Sequence, residues 1–203
     1  MALLQFSPMA YIKYFALNAP MILAAFVIFA SAFNKDIKGV VFMVGAVIIM
    51  FIGQFISSSL GRRPPKTTSF KSLDTCNMFS LGNSGWGYEW SAPAPNALFL
   101  AYAATYFIAA MAFHQNFNWA LLGMLIVIMT TNAGFRLKLL HCGTSIDLLF
   151  GWTFGIIWGL IWYGCMAMME AQHDGTISLT YFGDDSGVDK CKLTKKKFKC
   201  RNI

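Results

Sequence analysis

Charge is what this chain has least of. Only 12% of its 203 residues are Asp, Glu, Lys or Arg, against 57% hydrophobic, and its mean hydropathy is +0.54. A soluble domain carries about 25% charged residues. The composition therefore excludes a globule covered by polar side chains and predicts a chain built for a bilayer. Metal-ligand spacing is also missing. His114, His141 and His173 are scattered, and Cys191-x8-Cys200 is not a zinc pattern, so neither a metal nor any other cofactor is expected. No glycine-rich phosphate cradle occurs. No acidic residue falls inside an apolar span, which argues against an ion or proton path. The five cysteines are an odd number and imply no complete disulfide framework. Cys142 and Cys165 read as packing residues, while pairing of Cys191 with Cys200 stays open. No Asn-x-Ser/Thr sequon is present. The first apolar run is long and lacks a small-residue cleavage site, so it reads as a retained span rather than a signal peptide.

What the chain does have is a series of apolar runs separated by short polar breaks. Residues 1–13 are mixed and suit the interface. Spans are expected at about 15–33, 39–60, 95–113, 119–134 and 147–169. Each approaches the ~20 residues needed to cross the hydrocarbon, where only a helix satisfies its own backbone. The fourth is short enough to need flanking support. Residues 61–92 form the longest loop, with Trp86, Tyr88 and Trp90 at the level where aromatic rings favour the headgroups. Residues 135–146 form a second polar loop. Gly151, Gly155 and Gly159 recur every four residues, on one face of the last span, as in close small-residue helix packing. Residues 170–203 are soluble in character. Thr176–Phe182 alternates at period two and reads as half of a small β-hairpin. Lys195, Lys196, Lys197 and Lys199 then make the tail strongly basic. The expected fold class is an all-α bundle of about five transmembrane helices with a small soluble tail.

Two polar segments carry what motif content there is. The first is Gly61-Arg62-Arg63-Pro64, followed by Ala92-Pro93-Ala94-Pro95-Asn96-Ala97 before the third span. The second runs from Phe135-Arg136 through His141 and Cys142 to Asp147, ahead of Gly151. Their order and spacing resemble the type-2 phosphatidic acid phosphatase (lipid phosphate phosphatase) family. That family carries Lys-x6-Arg-Pro, Pro-Ser-Gly-His and Ser-Arg-x5-His-x3-Asp. The resemblance covers about residues 40–165 and implies a lipid-phosphatase-like bundle. The catalytic signature is degenerate. Ile56 stands in the lysine position, and Asn96 stands where the histidine general acid belongs. Asparagine cannot release a proton near neutral pH. Counted from Arg136 the nucleophile position is Cys142; counted back from Asp147 it is Gly143; His141 fits neither. The family usually has six spans, and here the first is missing or reduced to residues 1–13.

The resemblance thus implies a non-enzymatic membrane protein. It would act as a structural or docking subunit of a membrane-associated assembly, such as an organellar complex or a virion's internal membrane. Its partners would be membrane lipids and other protein subunits. Arg62, Arg63 and Arg136 are the candidate headgroup-binding residues, since guanidinium pairs well with phosphate without catalysis. Arg62 and Arg63 also read as simple interface anchors. Asp147 reads as the N-cap of the last helix, and Asn96 as a first-turn polar residue. A second reading is an active phosphatase in which His141 attacks, Asp147 orients it, and Arg63 and Arg136 hold phosphate. A third is a small transporter or scramblase, against which Gln54, Ser57–Ser59 and Thr130–Asn132 cluster near span ends. The basic tail would meet anionic lipid or an acidic partner, with nucleic acid less favoured. It points to the cytosolic side.

Overall fold

A computed structural model describes residues 8–60, 92–139, 144–172, 179–182, 192–194 and 197–199. Five helices dominate it: α1 (Pro8–Asn34), α2 (Lys38–Leu60), α3 (Pro95–Phe113), α4 (Trp119–Gly134) and α5 (Ser145–Gln172). All five are long and apolar enough to cross a membrane. Helix α1 begins inside the segment expected to lie at the interface, so residues 8–13 are helical. The expected loop 135–146 is also shortened from both ends. Phe135–Leu139 forms a π-helical turn directly after α4, and α5 starts at Ser145. The turn carries the short fourth span on to Leu137, for 19 residues in all.

Local chemistry explains most helix ends. Pro95 opens α3, where the missing amide hydrogen costs nothing. Asn118 caps α4 through its side chain, which accepts from the Leu121 amide at 3.1 Å. Between α1 and α2 the Ser31 hydroxyl accepts from the Gly39 amide at 3.1 Å, and Lys35 takes a left-handed φ of 54° to close the turn.

Helix α3 is the axis of the bundle. In its central window 72% of residues are buried, against 22% for α4 and 28% for α5. It touches all four other helices, while α1 packs on α2 and α4, and α2 on α5. Phe42, Phe99, Tyr102, Tyr106 and Phe107 form its aromatic core, with Phe42 and Phe107 stacked at 5.3 Å. The closest approach is to α5, through the expected glycines. A Cβ on Gly151 would come within 2.9 Å of the Ala94 carbonyl, and one on Gly159 within 2.9 Å of Thr105 Cβ; one on Gly155 would overlap the Leu98 carbonyl. Cys165, expected as a packing residue, is instead exposed.

Three polar side chains tie the bundle to α2. Tyr102 donates to the Phe42 carbonyl at 2.8 Å, Trp158 to Gly45 at 3.0 Å and Trp162 to Val41 at 3.2 Å. A fourth connection runs to α1. Pro20 lies inside that helix, so the Ala16 carbonyl has no amide hydrogen four residues on. Asn132 of α4 supplies the replacement, its side-chain amide donating to Ala16 at 2.8 Å. Asn96 of α3 donates to the neighbouring Leu17 carbonyl at 3.4 Å. Away from water an unsatisfied backbone carbonyl costs several kcal/mol, so the Asn132 contact permits a proline mid-helix.

After α5 the chain folds back. Leu179–Phe182 form a bend and turn instead of the strand expected there, because Thr180 and Tyr181 are engaged by the bundle. Glu170 accepts from the Leu179 and Thr180 amides at 3.2 and 3.1 Å and from the Thr180 hydroxyl at 2.7 Å. The Tyr181 ring packs on Phe107 at 5.4 Å. The strand pair lies further along, Lys192–Thr194 running antiparallel to Lys197–Lys199.

Candidate functional site

The polar segments singled out in the sequence meet where α4 ends and α5 begins. Thr144-x-x-Asp147 closes a reciprocal capping box. The Thr144 amide donates to Asp147 Oδ2 at 2.8 Å, and the Asp147 amide to Thr144 Oγ1 at 3.4 Å. Asp147 is therefore the third residue of the helix start, and Thr144 is the cap that was expected of it. Its carboxylate also sits where the helix dipole favours negative charge. The Asp147 carbonyl accepts from the Ala94 amide at 3.2 Å, which fastens the lead-in to α3 onto the first turn of α5.

Arg136, inside the π turn, lines the same small cleft as Asp147, with Ala94, Leu137, Thr144 and Leu148. Both charged residues are almost fully buried, Arg136 at 4% and Asp147 at 2% exposure. They are close enough for the carboxylate charge to act on the guanidinium. The cleft between these described residues is small. The arrangement is a clamp: opposite charges offset each other's burial while joining α4, α5 and the approach to α3.

Of the residues expected to act, Arg136 and Asp147 come together, with the Ala94 backbone beside them. Asn96 stands apart from them. It is 1% exposed, faces α1, and its Oδ1 has no hydrogen-bond partner among the described residues. It donates to the Leu17 carbonyl of α1, three residues before Pro20, a contact the sequence reading missed. For the Asn132 contact the signal was available, since a proline inside a long apolar run demands a donor from elsewhere. Thr144 was also missed, although Thr-x-x-Asp ahead of an apolar run marks a capping box. Arg62, Arg63, His141, Lys195 and Lys196 lie outside the described residues, whereas Lys197 and Lys199 belong to the second strand. No cluster of three His, Cys, Asp or Glu side chains able to hold a metal occurs among the described residues.

Comparison with protein-family models, with curated proteins and with solved structures finds no match for this chain.

A second polar cluster lies at the other end of the bundle. His114 Nε2 is 3.3 Å from Thr180 Oγ1, which itself donates to Glu170. Beside it, burial and the negative charge of Asp36 push the Tyr181 hydroxyl up to about 12.

Proposed function

We propose that this protein is a non-enzymatic, multi-pass membrane protein with a degenerate lipid-phosphatase-like bundle. It serves as a structural or docking subunit of a membrane-associated assembly. The observation that carries the reading is the closed clamp at Arg136 and Asp147. The two residues that a phosphatase would aim at substrate are here buried, Asp147 capping a helix and the two charges offsetting one another. Headgroup binding, where it occurs, falls to Arg62 and Arg63, which follow α2 in the sequence. The polar residues of α4 speak against a transport path: Thr130 and Thr131 return their hydroxyls to carbonyls of their own helix, and Asn132 is committed to Ala16.

Phosphate release from phosphatidic acid by the purified protein in detergent tests the reading, with His141→Ala alongside. No release above background from either protein is the expected result. Turnover that disappears in His141→Ala overturns it and makes His141 the nucleophile of a rebuilt site.

A further inference from the structure

Three tyrosine hydroxyls meet beneath the returning end of the chain. The Tyr106 ring of α3 lies 5.7 Å from Tyr163 of α5 and 6.4 Å from Tyr181 of the Leu179–Phe182 turn, edge-on to both. All three hydroxyl oxygens are shut off from solvent, and none has a hydrogen-bond partner among the described residues. Tyr106 is 0% exposed and Tyr163 6%. About two turns of α3 separate Tyr106 from Phe113, which puts its backbone about 10 Å inside that end of the bundle. The Tyr106 hydroxyl is within electrostatic reach of the other two and of the Glu170 carboxylate, which also acts on Tyr163.

Glu170 is engaged through one oxygen. The Leu179 amide, the Thr180 amide and the Thr180 hydroxyl all donate to Oε2, and none of them uses Oε1. Thr180 is 1% exposed, so the turn is seated on the bundle and not merely laid over it. A buried hydroxyl without a partner gives up its bonds to water and is costly. Three together, beside a carboxylate, are relieved most simply by a shared partner. Buried waters typically make about three hydrogen bonds to groups of this kind. Water donates and accepts, as a phenol hydroxyl does, so it can serve hydroxyls and carboxylate at once. A metal ion is disfavoured, since no cluster of three His, Cys, Asp or Glu side chains able to hold one occurs among the described residues.

We infer that Tyr106, Tyr163, Tyr181 and Glu170 form a binding site for internal water, closed over by the Leu179–Phe182 turn. The water links α3, α5 and the returning chain through hydrogen bonds that these hydroxyls do not make with one another. It holds the turn from beneath, while Glu170 Oε2 holds its backbone. The site lies at the opposite end of the bundle from the Arg136–Asp147 clamp and does not depend on the loss of catalysis.

The sign of a hydroxyl deletion tests the site. The full chain is unfolded in detergent as the parent, as Tyr106→Phe and as Tyr163→Phe. Removing a hydroxyl that water serves should raise the unfolding equilibrium constant about fivefold in each variant. Removing a dry one relieves a desolvation cost and lowers that constant, which overturns the inference. Radiolytic labelling gives a second readout, because radicals formed from bound water modify the side chains it touches, however buried. Tyr102 is the control: it is 0% exposed, and its hydroxyl is already committed to the Phe42 carbonyl. Labelling of Tyr106 and Tyr163 several-fold faster than Tyr102 is expected, and equal rates overturn the site. Stability that rises when sodium or potassium chloride replaces a bulky organic salt at equal ionic strength overturns water in favour of a monovalent cation.

Discussion

Pro20 and Asn132 depend on each other. Asn132→Ala leaves the Ala16 carbonyl buried without a donor, which should cost about 1–2 kcal/mol in a detergent unfolding titration. Pro20→Ala returns an amide hydrogen to that carbonyl. In the Pro20→Ala background the cost of Asn132→Ala should therefore shrink by about 1 kcal/mol; strictly additive effects would show that the two residues are not coupled. Tyr181 makes a separate, pH-dependent contribution. Its hydroxyl is held near 12 when folded, against about 10 when unfolded. A raised acid pKa means the contribution is complete below pH 10 and is lost as pH climbs from 10 towards 12. The parent protein should lose stability more steeply over that window than Tyr181→Phe, and equal slopes would remove the effect. At this scale the sequence was read unevenly. Arg136 and Asp147 were recognisable because charge beside an apolar span is rare. Asn96 was read through its place in a motif, whereas its contact is with the Leu17 carbonyl of α1, a relation visible only once the helices pack.

Among the elements, α3 and α5 meet through glycine, and the two sides of α5 respond oppositely to a methyl group. Gly155→Ala drives a Cβ into the Leu98 carbonyl and should destabilise by about 1–3 kcal/mol. Gly164 faces open space, so Gly164→Ala should stabilise by up to about 1 kcal/mol through helix propensity. Melting temperatures in detergent distinguish these signs, and equal responses would contradict the close α3–α5 approach. The four-residue glycine spacing was legible because helical periodicity places those residues on one face. The π turn was not, since Phe135–Leu139 has no composition that separates it from a loop. One strand of a hairpin was expected at Thr176–Phe182, where alternation is clear. Thr176–Ser178 lie outside the described residues; at Leu179 and Thr180 the hydrogen bonds to Glu170 override the local pattern, and the described strand pair lies in the lysine-rich stretch beyond.

For the molecule as a whole, five long apolar helices were readable from the alternation of apolar runs and charged breaks, since runs of about 20 apolar residues are long enough to span as helices. Boundaries shifted where capping chemistry, not hydropathy, sets the end, as at Ser145. If all five cross, an odd count puts the termini on opposite faces. Protease digestion of sealed, uniformly oriented vesicles should then remove a tag at one terminus and spare a tag at the other. Cleavage of both would mean that one helix does not cross.

The bond between Asn132 and Ala16 joins residues 116 positions apart. A ribosome adding about 5–20 residues each second needs on the order of ten seconds to make that stretch. During synthesis the first helix therefore exists with an incomplete backbone well before its remedy has been translated. Some other donor, water included, must serve that carbonyl in the interval, so α1 reaches its final hydrogen bonding only once α4 exists.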